Sequence, residues 1–375
     1  MEIRVVDSPA KIDPGQWDGL AGSQPFLRHA FFSALHESGS AVAENGWEPC
    51  FLTLWEDKEL VAATPLYRKQ HSFGEFVFDW SWAEAYARQG RSYYPKLVAQ
   101  VPFTPVEGSR LLARDGAARR ALLDAMIDYA ESSGVSSLHA LFPNTEEAEL
   151  LSGRGLLLRR GVQFHWRNAG WPNFEEFLAS LTRDKRKKIR QERRRVVDAG
   201  VVLRRLAGQD IGSDDWRFYY ACYSNTYLIR GRPPYLTLDF FMRLGNTMPE
   251  NILLVIAERA GKPIAASLCL HDSKRLYGRY WGSVEDVPCL HFEACYYQPM
   301  EFCLEQELAV FEGGAQGEHK LARGFMPVQT LSAHWLADRP FHDAVARFLE
   351  RESEGVANYC DELEEHSPYR AETQT

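Results

Sequence analysis

The stretch LVIAERAGKPIAAS (254–267) reads as two apolar runs around a charged turn, Arg259-Ala260-Gly261-Lys262. Apolar runs separated by a short, glycine-containing turn predict a β-hairpin. LTLWEDKELVAATP (52–65) follows the same plan, with its turn at Glu56-Asp57-Lys58. Setting Glu56 opposite Glu258 and Ala62-Ala63 opposite Ala265-Ala266 gives an offset of 202–203 residues, which predicts one extra turn residue in the second copy. Upstream of each hairpin lies another matching block, PFLRHAFFSAL (25–35) and PYLTLDFFMRL (234–244), 209 residues apart. Phe31, Phe32 and Leu35, like Phe240, Phe241 and Leu244, recur at helical spacing. Two matching blocks in the same order predict an internal duplication.

Working outward, the second copy continues with a strand at RLYGRYWGS (275–283), a helix near 293–308 and a strand near 308–312. In the first copy the expected order is a strand at SFGEFVFDW (72–80), a strand at 110–113, a helix at 117–132 and a strand at 135–142. An antiparallel meander followed by helix and strand predicts an α/β (α+β) fold, each copy a mixed, largely antiparallel sheet flanked by helices. The linear division expected is 1–168 for the first domain, 169–355 for the second, and an acidic tail at 356–375 that frays beyond Asp361.

The chain has 375 residues, with 43 Lys and Arg against 51 Asp and Glu, a net charge of −8. A uniformly basic nucleic-acid coat is excluded, but a local patch is not. RDKRKKIRQERRR (183–195) holds nine basic and two acidic residues without Pro or Gly, which predicts a helix; phosphate contact is expected from Arg186, Lys187, Arg190 and Arg193. Seven cysteines without a C-x-x-C pair fit neither a disulfide framework nor a zinc ribbon. No apolar run approaches a membrane span, and the first residues lack a signal-peptide pattern, so a cytoplasmic location is expected.

The hairpin form apolar–E-x-x-G-K-P-I-A-A–apolar, followed by meander, helix and strand, resembles the acyltransferase fold called GNAT. Two such units with a K/R-x-R-K-x-I-R helix opening the second resemble the FemAB-like, peptidoglycan-bridge branch of that superfamily. Three segments are similar to the bacterial FemAB-like predicted N-acyltransferases: HSFGEFVFDWSWAEAYARQGRSYYPKL with VPFTPVEGSRLL, YGRYWGS with HFEACYYQPMEFC, and FEGGAQGEHKLARGFMP with TLSAHW. The resemblance spans roughly residues 15–355 and implies tandem GNAT-like domains that transfer an acyl or aminoacyl group to an amine. Acyl-CoA or aminoacyl-tRNA would be the donor substrate, with no tightly bound cofactor, and the acceptor a primary amine of a small molecule or peptide.

The sequence departs from the acyl-CoA pattern. The glycine-rich turn whose N–H groups cradle pyrophosphate is replaced in copy two by VEDVPCLHFE, with no glycine and two acids, Glu285 and Asp286, where phosphate should sit. Copy one reads ARDGAARR there, one glycine with three arginines, which remains compatible with a phosphate.

Amide formation needs a neutral amine, donors for the developing oxyanion and a group to take the amine proton. The loop GGAQGEHKLARG (313–324) sets four glycines around Gln316, Glu318, His319, Lys320 and Arg323. A similar element lies at the active cleft of the resembled branch, which puts Lys320 and Arg323 forward as anion contacts. If 290–293 is extended, His291 and Glu293 share a face and serve the amine, beside Tyr297 and Gln298. Glu75, Asp79, Trp80, Trp82, Tyr94 and Lys96 are expected to wall a cleft for a polar substrate, and Arg279, Tyr280, Trp281 and His334 join them from the resembled segments. No H-x₃-H or H-E-x-x-H pattern links His291, Glu293, His319 and His334, so no metal is expected. The competing expectation is a non-catalytic double-GNAT scaffold that binds a phosphorylated ligand or an RNA end.

Overall fold

The computed structural model describes residues 1–314 and 317–370. The chain forms two compact units that are not successive: residues 1–161 and 329–358 make one, and 162–328 with the segment from Tyr359 onward make the other.

In the first unit β1 (Glu2–Val6) leads to α1 (Pro14–Ala21), α2 (His29–Glu37) and the short β2 (Trp47–Pro49). The hairpin follows as β3 (Phe51–Glu56) and β4 (Glu59–Thr64), continued by β5 (Leu66–Lys69). Next come α3 (Trp80–Arg88), β6 (Lys96–Ala99), β7 (Leu112–Ala113), α4 (Gly116–Ser132), β8 (Ser137–Leu141) and α5 (Thr145–Gly153). β9 (Leu157–Arg167) carries the chain into the second unit, where α6 (Phe174–Ser180), the basic α7 (Arg183–Asp198), β10 (Val201–Ala207), α8 (Ser213–Leu228) and α9 (Leu238–Thr247) precede the second hairpin. That hairpin is β11 (Ile252–Arg259) and β12 (Lys262–His271), followed by β13 (Arg275–Ser283), α10 (Leu290–Phe292), a π-helical turn (Glu293–Tyr297), α11 (Gln298–Glu305) and β14 (Val310–Glu312). β15 (Met326–Leu336) and α12 (Arg339–Glu365) return the chain to the first unit as far as residue 358. No helix among the described residues is long and apolar enough to cross a membrane.

The duplication is visible in the ladders. β1 pairs antiparallel with β3, β3 with β4, and Ala62 and Ala63 of β4 face Ala113 and Leu112 of β7. In the second unit β10 pairs with β11, β11 with β12, and Ala265 and Ala266 face Ser283 and Gly282 of β13. Both hairpins carry one bulge, with Val61 the extra residue on β4 and Ile264 the extra residue on β12. Each turn has two residues between the closing pairs Glu56–Glu59 and Arg259–Lys262. The offset is therefore a constant 203: the expected extra turn residue does not exist, and Trp55, not Glu56, matches Glu258.

The helix after each meander covers the sheet. Leu122, Leu123 and Met126 of α4 join Leu52, Val61 and Ala62 in one core, while Met300 and Cys303 of α11 join Val255, Leu276 and Phe311 in the other. Burying a side chain of this size contributes about 1.5–3 kcal/mol. α8 comes closest: a Cβ on Gly282 would lie 1.8 Å from the Cys222 carbonyl oxygen, so β13 needs glycine there.

Three further expectations are corrected. Residues 72–79 form no strand, and the first copy's third strand is β7; burial of Glu75 and Asp79 takes the segment out of any ladder. The division at 168/169 fails because 332–336 of β15 pair with β8 in the first unit. Residues 361–365 complete α12, and Tyr369 donates to the Gly324 carbonyl (2.7 Å) and stacks on Trp171, so the segment as far as residue 370 is packed rather than frayed.

Candidate active site

In the second unit β14 runs parallel to β13 only from Arg275↔Val310 to Tyr277↔Glu312. Past Glu312 the chain turns at Gly313-Gly314 while β13 continues to Ser283, so the strands part. A cleft opens between them with about 390 Å³ of space, counting its open mouth. Ser267 and Cys269 of β12, Arg279 and Trp281 of β13, and His291 and Tyr296 line it, among others. A bulge re-aims β13 here: Tyr280 faces Leu268 and Gly278 faces Cys269, with Arg279 the extra residue between them.

Cys289, in the left-handed conformation (φ 69°), starts a single helical turn that widens into the π-helical Glu293–Tyr297. Such a widened turn moves successive side chains off the ordinary helical track. It brings His291 and Tyr296 to the cleft and turns Glu293 away. Arg193 donates to Glu293 through Nε (3.1 Å) and Nη2 (3.0 Å), and Gln298 donates to it at 2.9 Å. The expected His291–Glu293 pair on an extended segment is thus overturned: the segment is helical, and Glu293 is consumed by an arginine.

His291 sits against Trp281 and Tyr296, with ring centroids 5.4 Å away in each case. Burial, reinforced by the nearby His319, Arg323 and Lys320 charges, lowers its pKa to about 4, so it is a neutral imidazole near pH 7. His319 accepts or donates a hydrogen bond with Tyr296 Oη at 3.0 Å, and burial lowers its pKa too. Lys320 is buried and donates to the Gly314 carbonyl at the cleft edge (2.8 Å); burial brings its pKa down to about 8. Arg323 lies deeper. It donates to Glu192 (2.7 Å), to Tyr297 Oη (3.1 Å) and to the His319 carbonyl (2.6 Å), and stacks 3.5 Å over Phe292. Its charge is neutralised by Glu192, so it braces the 318–323 turn instead of meeting an external anion. Glu318 accepts from Tyr359 (2.6 Å). Gln316 lies outside the described residues.

The first unit gathers the other candidates. Lys96, fully buried on β6, donates to Ser72 Oγ (2.8 Å), Glu75 (2.7 Å) and Asp79 (2.5 Å). Tyr93 donates to Asp79 (2.7 Å) and also contacts His139, which meets His334 through their Nδ1 atoms (2.7 Å). Burial raises the Glu75 pKa to about 7, whereas Lys96 and His139 hold Asp79 ionised in spite of its own burial. Trp82 is buried against His334, Trp80 is exposed, and Tyr94 is half-buried with its hydroxyl on Ser72 (2.9 Å). His334 therefore sits in the first unit and His291 and His319 in the second. Among the described residues no three His, Cys, Asp or Glu side chains form a group suited to a metal.

On α7, Ile189, Glu192 and Val196 make the buried face. Arg190 pairs with Glu175, Arg193 with Glu293 and Glu301, and Arg194 with Asp198. Arg193 is thereby committed to a part-buried ion pair, whereas Arg190 and Glu175 meet at the exposed surface. Arg186 and Lys187, together with Arg183, Lys185 and Lys188, have no acidic partner among the described residues. The phosphate signal in copy one also closes. Asp115 caps α4 by accepting from the N–H groups of Ala117 and Ala118 (2.9 Å each), and Arg114 pairs with Glu56 and Asp115.

Sequence reasoning passed over Ser267, Cys269 and Cys295 in the cleft, His139 in the first unit, and Glu192, counted only as one acid in a basic run. Its place three after Ile189 and four before Val196, on the apolar stripe, was the available signal.

Two units, each a hairpin meander closed by a helix and a strand, with a cleft where the strands part, define the tandem GNAT-like acyltransferase fold. The chain belongs to the FemAB-like family, described as acting in peptidoglycan biosynthesis or recognition, whose model matches residues 8–371. Among solved structures it is similar to FemX, at 11% identity and a TM-score of 0.55 over 92% of this chain and 100% of that one. It is also similar to L-PGS from Bacillus licheniformis, at 12% identity and a TM-score of 0.56 over 93% and 99%. A third likeness is to the C-terminal domain of a putative lysylphosphatidylglycerol synthetase from Agrobacterium fabrum, at 9% identity and a TM-score of 0.55 over 92% and 97%. No curated protein matches the chain.

Proposed function

We propose that the protein is an N-acyltransferase whose chemistry takes place in the second-unit cleft, with aminoacyl-tRNA as donor and a primary amine of a small molecule or peptide as acceptor. The observation that carries the reading is the cleft itself, opened by the divergence of β13 and β14 and flanked by a neutral imidazole and a buried ammonium. The amine nitrogen attacks the ester carbonyl, and the new ammonium becomes acidic as the C–N bond forms. His291, neutral at pH 7, takes that proton and passes it to the ribose oxygen, which leaves as a hydroxyl when the tetrahedral centre collapses. Lys320 fixes the Gly313-Gly314 turn and places positive charge near the developing oxyanion.

The donor assignment is supported by what occupies the phosphate cradles. Asp115 fills the α4 N-terminus, and the β13–α10 connection carries Glu285 and Asp286, so neither copy offers the pyrophosphate of acyl-CoA a ring of N–H groups. The unpaired half of α7 suits a polyanion, and Lys188 lies close enough to His319 to depress its pKa.

The test is to incubate the protein with labelled aminoacyl-tRNA in one reaction and labelled acetyl-CoA in another, each with a panel of primary amines. Amide product from the tRNA arm, reduced about 10²–10⁴-fold by His291→Ala, is expected. Transfer from acetyl-CoA alone would reverse the donor assignment. Tight binding of tRNA without turnover would make the protein a scaffold.

A further inference from the structure

β1 is an unguarded edge. It ends the four-stranded sheet β1-β3-β4-β7, and among the described residues no strand pairs with its outer side. Its ladder to β3 runs without a shift from Glu2↔Trp55 to Val6↔Phe51, so no bulge bends the edge away. The strand, EIRVV, holds neither Pro nor Lys. Bulges, prolines and lysines are the devices that keep edge strands from pairing with other chains. The opposite edge, β7, is only two residues long, and β10, the equivalent strand of the second copy, carries Arg204 and Arg205 side by side.

The apolar face of the sheet is unfinished at the same place. Ile3 faces Leu54 and Val5 faces Leu52 across the ladder, and both leucines are buried with Leu122 and Met126 of α4. Ile3 and Val5 themselves are 55% and 48% exposed, and Met1 is 64% exposed. Alternation along the strand puts all three on one face. A strand added beyond β1 would cover this stripe and carry the core face onward.

The charges select which strand fits. Directly opposed residues of an antiparallel pair point to the same face, so a strand meets a second copy of itself only in registers centred on one of its residues. Centring on Glu2 opposes Glu2 to Glu2, and centring on Arg4 opposes Arg4 to Arg4; both set like charges together. Centring on Val5 opposes Arg4 to Val6 and leaves Glu2 and Ile3 outside the paired strands. Centring on Ile3 opposes Glu2 to Arg4 twice, Ile3 to Ile3 and Met1 to Val5. Each charge then meets its opposite and each apolar residue another apolar one. Glu2 and Arg4 already pair within the strand (2.7 Å), with Arg4 lying 4.9 Å over the Trp55 ring, on the face away from the apolar stripe.

We propose that the protein associates with a second copy of itself through β1, the two strands pairing antiparallel about Ile3 and joining their four-stranded sheets into one. The surface belongs to the first unit, so it stands or falls independently of acyl transfer in the second-unit cleft.

The test is sedimentation equilibrium of the intact protein over about 1–100 μM. Association to twice the chain mass of 42.8 kDa is expected. Arg4→Glu opposes acids to acids at both charged positions, Glu2→Arg opposes bases to bases, and each weakens association at least about tenfold. Mixing the two variants restores a dimer, because every Glu then faces an Arg of the other chain; a role of Glu2 and Arg4 confined to their own strand gives no such rescue. Both residues are exposed, so both variants keep the fold. A monomer throughout that range overturns the proposal. So does a dimer indifferent to Arg4→Glu and Glu2→Arg, or a mixture of the two variants that fails to associate.

Discussion

Val61 and Ile264 hold equivalent places in the two hairpins: each is the single extra residue at the bulge of its second strand, 203 positions apart. A bulge is a local device that aims the strand beyond it, and two unrelated hairpins have no reason to place it alike. Deleting Val61, and separately Ile264, is therefore expected to slip each hairpin by one residue and turn a core face outward, with loss of cooperative unfolding by circular dichroism in both cases.

Gly282 has no room for a methyl group, because α8's backbone lies where the Cβ would go. Gly282→Ala is expected to lower stability by at least about 3 kcal/mol, read as the denaturant midpoint. Gly261→Ala, in open space at the β11–β12 turn, costs less, through its positive φ alone.

Arg323 and Glu192 are both buried and paired. Removing either partner strands a charge, so Glu192→Ala and Arg323→Ala are each expected to cost about 3–5 kcal/mol. The double variant should cost much less than their sum, as a double-mutant cycle of thermal midpoints will show.

Acid should destabilise the fold through its buried imidazoles. Burial lowers His36 and His291 to about 4 from an ordinary value of 6.5, so between these limits the unfolded chain binds protons that the native chain refuses. Their contribution is complete above pH 6.5 and is lost as pH falls toward 4. Urea midpoints measured across that range should drop, and His291→Asn should flatten the slope.

On α7 the unpaired cations and the paired ones should behave differently toward a polyanion. Lys187→Gln with Lys188→Gln is expected to reduce the slope of log K against log salt for tRNA by about 1.5–2. Arg193→Gln, which breaks the contacts to Glu293 and Glu301, should act on stability instead.

Much of the architecture was legible because local patterns report local structure. The hairpins, the helices that carry Leu35 and Leu244, and the strand 275–283 follow from periodicity and turn chemistry. Residues 72–79 misled for a physical reason: Phe76, Phe78 and Trp80 alternate with Glu75, Val77 and Asp79 as in a half-buried strand, but the buried partners of Lys96 are the acids. Glu293 misled because a π-helical turn cannot be read from residue spacing. The pairings of Arg193 with Glu293 and of Arg323 with Glu192 join segments about a hundred residues apart or more, a distance at which no spacing rule speaks.

The return of residues 329–358 to the first unit governs how this protein is born. A ribosome that has released residues 1–161 has not yet made the strand that pairs with β8 or the helix that follows it, so the N-terminal half waits, with an open sheet edge, while the whole of its sister is translated. Cutting the gene between the copies would leave β8 without its β15 partner.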